Sequence, residues 1–272
     1  MNNQNRCLIF AHRGANREAA ENTRAAFNKA LQYSIDGIET DVQLSLDEVP
    51  VLWHDWELDK LGHPGKCIDD FNFAELEQMD FAGYSSPDAV PEGALSLKEF
   101  IDSYRGRCGL DIELKSRDGE SWQRLKTKIL QMLAIIGTSA ADDGVFISSY
   151  SLPGLIFAHQ HAPDLPLYYL LAGHHTQADI ERFLTNSPGA NLHLPAGCRA
   201  GKPGMKDYSF LAGFCLPIDI HNEAIAKLLR EQGKGVGVYT CNSVEEIQKA
   251  LDLKVNILIT DYPQLALQMR DS

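Results

Sequence analysis

Short apolar segments alternate with amphipathic helical segments along most of the chain, and this alternation limits the possible folds more than any other feature. Leu8–Ala11 precedes a predicted helix over Thr23–Tyr33, and Val145–Ser148 precedes one over Leu152–His161. Strands that alternate with helices of this length form parallel sheets. About eight such units along the chain predict an α/β fold, the (β/α)8 TIM barrel. A doubly wound open sheet is the alternative, but the sequence contains no glycine-rich nucleotide-binding loop.

Two stretches interrupt the alternation. The first, Asp55–Leu95, is rich in loop-forming residues and carries one predicted short helix near Phe73–Met79. A stretch of this length indicates a small insertion after the second strand, at about residues 55–95, or a functional cover. Apart from it, we expect residues 1–272 to form a single domain.

The second stretch, Ser187–Gly213, shows only a weak pattern. The sixth strand of the barrel is therefore predicted either at Asn191–Leu194 or at Gly213–Ile218. We favour Gly213–Ile218, because the predicted helix Asn222–Gln232 follows it closely.

Charge and cysteine content exclude several classes of protein. The formal net charge of −12 opposes binding to nucleic acid and to anionic membrane surfaces. No apolar stretch approaches the ~20 residues of a membrane span, so we expect a cytoplasmic protein without stable membrane association. The six cysteines are scattered, which predicts reduced thiols rather than a zinc site or a disulfide framework. These features are also compatible with a homo-oligomer.

Ionisable residues fall at the carboxyl ends of successive predicted strands, where the active site of a barrel lies. In chain order they are His12 and Arg13, Glu39 and Asp41, His54, and Asp111, Glu113 and Lys115. Because side chains alternate between the two faces of a strand, Glu39 and Asp41 are expected to point the same way. The same rule places Asp111, Glu113 and Lys115 on one face.

Carboxylates that face the interior of a barrel carry a heavy desolvation cost unless a cation neutralises them. A divalent cation held by Glu39, Asp41 and Glu113 would offset this cost. Ligation by oxygen alone favours Mg²⁺ or Ca²⁺ over Zn²⁺. We therefore predict a site for a hard divalent metal ion at the mouth of the barrel.

The chain resembles the glycerophosphodiester phosphodiesterase family, cytosolic bacterial type, in motifs that keep the family's order and spacing. These motifs are Ala11-His12-Arg13-Gly14, Glu21-Asn22-Thr23, Glu39-Thr40-Asp41-Val42, Val51-Leu52-Trp53-His54-Asp55 and Ile112-Glu113-Leu114-Lys115. The resemblance covers nearly the whole chain and implies a TIM barrel with a small insertion. It also implies a bound Mg²⁺ or Ca²⁺, and hydrolysis of small glycerophosphodiesters to glycerol 3-phosphate and an alcohol.

The resemblance also implies a role for each matching residue. It assigns catalysis to two histidines, metal binding to three carboxylates and phosphate contacts to two cations: His12 and His54; Glu39, Asp41 and Glu113; Arg13 and Lys115. Asn22 precedes the first predicted helix and is expected to cap it. Tyr239 replaces a tryptophan common in the family and is expected to line the pocket.

Two other functions are compatible with such a barrel. One is a lysophospholipase D or sphingomyelinase-D-like phosphodiesterase, which resembles the same fold but is secreted and acts on membrane lipid. The other is a barrel that binds phosphate without catalysis, although all seven of the matching polar residues are present. The sequence does not assign the acid and the base between the two histidines.

Overall fold

The computed structural model describes residues 6–137, 143–171, 177–185 and 208–272. Its strands, in chain order, are β1 (Leu8–His12), β2 (Gly37–Leu44), β3 (Pro50–Leu52), β4 (Glu57–Leu58), β5 (His63–Cys67), β6 (Gly109–Leu114), β7 (Val145–Ser149), β8 (Leu167–Leu170), β9 (Gly213–Pro217), β10 (Gly235–Tyr239) and β11 (Ile257–Thr260). Its α-helices are α1 (Arg24–Leu31), α2 (Phe73–Leu76), α3 (Leu97–Tyr104), α4 (Trp122–Ile136), α5 (Leu152–His161), α6 (Gln177–Leu184), α7 (Glu223–Glu231), α8 (Val244–Asp252) and α9 (Pro263–Asp271).

The strands β1, β2 and β6 to β11 form a closed parallel barrel, which confirms the predicted (β/α)8 fold. Each pairs in parallel with its neighbours, and β1 closes the ring by pairing with both β2 and β11. The preferred prediction for the sixth strand is confirmed, since β9 spans Gly213–Pro217. The alternative at Asn191–Leu194, with most of Ser187–Gly213, lies outside the described residues.

Glycines allow one aromatic ring to fill the barrel near its base. Phe10 projects inward from β1, and a Cβ atom on Gly37 or Gly109 would lie 2.3 or 2.9 Å from its ring. Phe10 packs with Phe146 and Ile257 in a buried cluster inside the barrel. The base of the barrel is therefore filled, and polar chemistry is confined to the opposite end.

The helices pack around the barrel by their apolar faces, as α4 illustrates. The Ser121 hydroxyl accepts from the amide of Arg124 at its start, and Gly137 ends it with a φ of 71°. Its buried apolar side chains recur at the spacing of one helical face: Leu125, Ile129, Met132 and Ile136. No helix among the described residues is long and apolar enough to cross a membrane.

The segment after β2 departs from the βα alternation. The short apolar run that follows β2 forms β3, which pairs antiparallel with β2 and is not one of the barrel strands. A short β4–β5 hairpin and α2 follow and enclose a small core of their own around Trp53, whose ring packs 5.1 Å from that of Phe81. The segment thus lies over one side of the barrel mouth, where the sequence predicts an insertion.

Candidate active site

Four acidic residues occupy the inner face of β2 and β6 in two layers. The strand register places Glu39 beside Asp111 and Asp41 beside Glu113. One carboxylate oxygen from each of Glu39, Asp41 and Glu113 lies within 4.8 Å of the others. The structure therefore brings the three predicted metal ligands together.

Burial and mutual repulsion act strongly on these carboxyl groups. Glu39 is buried, and burial together with the charge of Asp41 raises its pKa well above the usual range. Burial also raises the pKa of Asp111, to about 8. For Asp41 burial acts in the same direction, but Arg13 and Lys115 outweigh it and hold the pKa of that carboxyl below its usual range.

The two predicted phosphate-binding cations lie among the carboxylates. Arg13 Nε is 3.1 Å from Asp41 Oδ2, and its Nη1 donates to Glu21 at 2.7 Å. Lys115 Nζ lies 3.3 Å from Asp41 Oδ1 and 3.2 Å from Glu113 Oε1. Both cations are thus positioned at the mouth, where an anionic substrate would meet them.

Each predicted catalytic histidine has its Nδ1 atom against a carboxylate. His12 Nδ1 lies 2.6 Å from Asp261 Oδ1, and His54 Nδ1 lies 2.8 Å from Asp55 Oδ1. With Nδ1–H donating to the carboxylate, Nε2 is left to accept or donate a proton. His12 Nε2 is 3.9 Å from Glu39 Oε2, so this histidine borders the acidic cluster.

Asp261 was not predicted as a site residue. It follows β11 and also accepts hydrogen bonds from Asn16 at 2.7 Å, Arg17 at 2.7 Å and Asn242 at 2.9 Å. Burial would raise the pKa of Asp261, but the contact with His12 and the other donors hold it well below the usual range. Its place directly after a barrel strand is the sequence signal that could have identified it.

Lys60, in the segment after β3, connects a carboxylate partner of Arg13 with the carboxylate partner of His54. Its ammonium donates to Glu21 at 2.5 Å and lies 2.9 Å from Asp55, the partner of His54. It also lies 4.4 Å from the centroid of the Trp53 ring. The segment after β3 therefore takes part in shaping the site.

The prediction that Asn22 caps the first helix is wrong. Thr23 is the N-cap of α1, and its hydroxyl accepts from the amide of Ala26. The side chain of Asn22 instead donates to Asp41 at 3.0 Å and accepts from Thr40 at 2.7 Å. The backbone of Asn22 has a φ of 58°, and its side-chain amide faces β2, where the buried carboxylate of Asp41 requires a hydrogen-bond donor.

A cavity of about 190 Å³ joins these groups at the barrel mouth. Both histidines and both cations line it, with Glu39, Asp111 and Glu113 on one side and aromatic and aliphatic side chains on the other. The hydroxyl of Tyr150 donates to that of Tyr239 at 2.9 Å, and both rings line the cavity as expected for Tyr239. One wall of the cavity is therefore suited to the charged groups of a ligand, and the other wall to its apolar groups.

The acidic residues fit a divalent cation. The donors are all carboxylate oxygens, which are preferred by hard cations. Oxygens on opposite sides of a calcium ion lie up to about 5 Å apart, close to the separation found among Glu39, Asp41 and Glu113. Asp41 Oδ1 is buried and accepts no hydrogen bond; the ammonium of Lys115 lies 3.3 Å from it, which leaves room for a metal ion as a further partner.

Comparisons with known proteins agree with this geometry. The model of the glycerophosphoryl diester phosphodiesterase family matches residues 12–265. The glycerophosphodiester phosphodiesterase of Bacillus subtilis (strain 168) is 27% identical, over 96% of this chain and 85% of its own length. That of Bacillus altitudinis is also 27% identical, over 97% of this chain and 98% of its own.

Solved structures share the fold. A putative glycerophosphoryl diester phosphodiesterase from Silicibacter pomeroyi DSS-3 has a TM-score of 0.78 and 21% identity, covering 98% of this chain and 94% of its own. An Oleispira antarctica phosphodiesterase in complex with the product sn-glycerol-3-phosphate has a TM-score of 0.76 and 23% identity, covering 97% of both chains. By the match along nearly all of its length, this chain belongs to the glycerophosphoryl diester phosphodiesterase family and is an enzyme of that class.

Proposed function

We propose that the chain hydrolyses glycerophosphodiesters to sn-glycerol 3-phosphate and an alcohol, with His12 and His54 as the acid and the base. The observation that carries this proposal is the single cavity lined by two histidines, two cations and a cluster of carboxylates. The named activity of the relatives and the sn-glycerol-3-phosphate bound to the Oleispira phosphodiesterase support the substrate class. A role in lipid and glycerol metabolism is part of the same proposal.

Glu39, Asp41 and Glu113 would hold the metal ion, with Mg²⁺ and Ca²⁺ as the proposed identities. A divalent cation bound there would neutralise the phosphate and the charge that develops on it. Arg13 and Lys115 would contribute positive charge beside the cluster, since both pair with Asp41. Mutual pairing with carboxylates keeps these cations in place before the substrate arrives.

The two histidines would carry the proton transfers. One Nε2 atom removes the proton from the attacking oxygen, and the other gives a proton to the leaving alcohol. The attacking oxygen is the neighbouring glycerol hydroxyl, which gives a cyclic phosphate that water then opens, with the histidine roles exchanged. Asp261 and Asp55 would hold the rings so that Nε2 faces the cavity.

We further propose that the chain forms one catalytic domain, with the segment at about 55–95 as its insertion. Lys60 and Trp53 support this, because both connect that segment to the barrel mouth. The cytoplasmic location and the oligomeric state remain predictions.

Replacement of each histidine tests the proposed roles. His12→Ala and His54→Ala should each lower turnover of glycerophosphocholine by roughly 10²–10⁴-fold, while the exposed control His161→Ala leaves it unchanged. In an ester of glycerol phosphate with p-nitrophenol, the leaving group departs with little help from an acid. This substrate should therefore restore the rate of the variant that lacks the acid, but not of the variant that lacks the base. Near-wild-type turnover in both variants would contradict the mechanism.

A substrate panel separates this function from the related one. Glycerophosphocholine should be cleaved, with glycerol 3-phosphate detected as product, whereas lysophosphatidylcholine and sphingomyelin should be poor substrates. Preferred cleavage of either lipid would assign the chain to the lysophospholipase D or sphingomyelinase-D-like class.

A further inference from the structure

Gln43 continues the row of polar side chains on β2 beyond the acidic cluster, and the proposed function gives it no role. Because side chains alternate along a strand, Gln43 shares a face with Glu39 and Asp41. Its side chain is buried, at 5% exposure. Buried amide groups are hydrogen-bonded in folded proteins, so the partners of this amide indicate what Gln43 does.

The side-chain nitrogen of Gln43 donates to three consecutive backbone carbonyls. Nε2 lies 3.0 Å from the oxygen of Trp53, 3.4 Å from that of His54 and 2.6 Å from that of Asp55. The two hydrogens of the amide are thus shared among three acceptors, and the contact with Asp55 is the shortest. Since carbonyl oxygens can only accept, the nitrogen of the amide, and not its oxygen, must face them.

These carbonyls belong to the loop that carries His54. β3 ends at Leu52 and β4 begins at Glu57, so the backbone of His54 lies outside both strands. The other catalytic histidine is held differently, because His12 is the last residue of β1 and pairs in register with Glu39. The barrel ladder therefore holds His12 directly, whereas the position of His54 depends on the contacts of its loop.

The contacts of Gln43 place the partner of His54 as well as His54 itself. Asp55 Oδ1 lies 2.8 Å from His54 Nδ1, so a shift of the backbone at Asp55 would move both the ring and the carboxylate beside it. The backbone amide of Trp53 donates to the carbonyl of Asp41 at 3.1 Å, which fixes the start of the loop. Gln43 extends this support to the residue whose ring lines the cavity.

We propose that Gln43 is a positioning residue for His54, which holds the loop Trp53–Asp55 so that the imidazole is in place before the substrate arrives. This inference rests on the proposed function, which gives His54 its part in proton transfer. A displacement of about 1 Å can lower a rate by about 100-fold, so a side chain that never touches the substrate can still control turnover. Gln43 therefore acts on the reaction through the backbone of its neighbours.

Steady-state kinetics of Gln43→Met with glycerophosphocholine tests the inference. Methionine has a similar length but no N–H group, so the loop loses its donor while the space stays filled. We expect kcat to fall by roughly 10- to 100-fold with little change in KM, because Arg13 and Lys115 still meet the phosphate. The matched control is Gln131→Met, the same change at an exposed position of α4, and it should have the wild-type constants.

A double-mutant cycle with His54 distinguishes positioning from a general structural role. In the His54→Ala background there is no ring to position, so Gln43→Met should lower kcat further by less than about 3-fold. A residue that only supports the fold would cost the same factor in both backgrounds. If Gln43→Met does not fold, Gln43→Asn is the milder variant. Its amide is one methylene group shorter, and it should show a smaller loss of kcat and the same dependence on His54.

The outcomes separate this inference from the function on which it rests. A wild-type kcat in the Gln43 variants, or an equal loss with and without His54, would overturn the role of Gln43 and leave the proposed mechanism intact. Wild-type turnover in His54→Ala itself would overturn the proposed role of that histidine. A large loss of kcat that disappears in the His54→Ala background would support the inference.

Discussion

At the scale of single residues, two kinds of carboxylate matter for the site. Some face the cavity, and others, such as Asp261, hold a catalytic side chain in position. Asp261 contacts His12 and is itself fixed by Asn16, Arg17 and Asn242. This arrangement keeps a negative charge at one nitrogen of the ring, and so favours one tautomer and one orientation of it. Asp261 is thus a positioning residue for His12.

Replacement of Asp261 should affect turnover more than substrate binding. Asp261→Asn should lower kcat by roughly 10²-fold or more with little change in KM, because the ring of His12 loses its orientation while the cations that meet the phosphate remain. Steady-state kinetics with glycerophosphocholine measures this. Asp252→Asn on α8 is the control, and Asp261→Glu should recover part of the lost kcat. A rise in KM at unchanged kcat would instead assign Asp261 to substrate binding.

Sequence reasoning identified the residues that face the cavity better than those behind them. Glu39, Asp41 and Glu113 were predictable because strand alternation fixes which side chains share a face. Asn22 was misassigned because a cap and a buried hydrogen bond to Asp41 require the same side-chain chemistry. The contact of Asp261 with His12 was missed because the two lie 249 positions apart in the chain, although the place of Asp261 directly after a barrel strand marked it as a candidate.

At the scale of elements, the barrel strands and most helices were predictable from periodicity. In the segment after β3 the short helix near Phe73–Met79 is confirmed by α2, but the other elements were not predictable. The helix α3 was missed, although Ser96 and Glu99 form a capping box at its start. The β4–β5 hairpin was also missed, because two residues of β4 give too short a pattern. This segment nevertheless supplies Lys60, which connects Asp55, the partner of His54, to Glu21, the partner of Arg13.

Removal of the Lys60 ammonium should therefore weaken catalysis without unfolding the barrel. Lys60→Met keeps a long apolar side chain beside Trp53 but no longer holds Glu21 and Asp55. We expect kcat/KM for glycerophosphocholine to fall by roughly 10- to 100-fold, because small displacements of catalytic groups have large effects on rate. Lys66→Met, an exposed lysine in the same segment, should have the wild-type value. Equal rates in both variants would remove Lys60 from the site.

The loop between β9 and α7 contains a buried histidine that links stability to pH. His221 is 1% exposed, neither ring nitrogen has a hydrogen-bond partner, and burial lowers its pKa to about 4. Above pH ~6.5 the ring is neutral in both the folded and the unfolded state. As the pH falls towards 4, only the unfolded state gains the proton, so the folded state loses stability, by up to about 3 kcal/mol.

Denaturant unfolding between pH 7.5 and 4 measures this loss. In His221→Gln the free energy of unfolding should decline less steeply over that range than in the wild type, whatever its value at pH 7.5. His161→Gln, at an exposed position on α5, should follow the wild-type curve. Identical slopes for His221→Gln and the wild type would show that His221 binds its proton equally in both states.

At the scale of the whole molecule, a closed barrel explains why residues from distant parts of the chain meet. The carboxyl ends of β1, β2, β6 and β11 are neighbours in the ring, so His12, Glu39, Glu113 and Asp261 converge at one end. The barrel floor is filled by aromatic and aliphatic side chains, which leaves this end as the polar one. The fold was predictable because its strand and helix periods repeat, whereas the shape of the cavity depends on long-range contacts.

The central claim is that carboxylates at the barrel mouth hold a divalent cation that is required to cleave the phosphodiester. The most direct test is the release of glycerol 3-phosphate from glycerophosphocholine by the wild-type chain in EDTA, and again after addition of excess Mg²⁺ or Ca²⁺. In the wild type, release should stop in the chelator and resume when the metal is added. In Glu39→Gln, the added metal should not restore release. Undiminished release of glycerol 3-phosphate in EDTA would contradict the account.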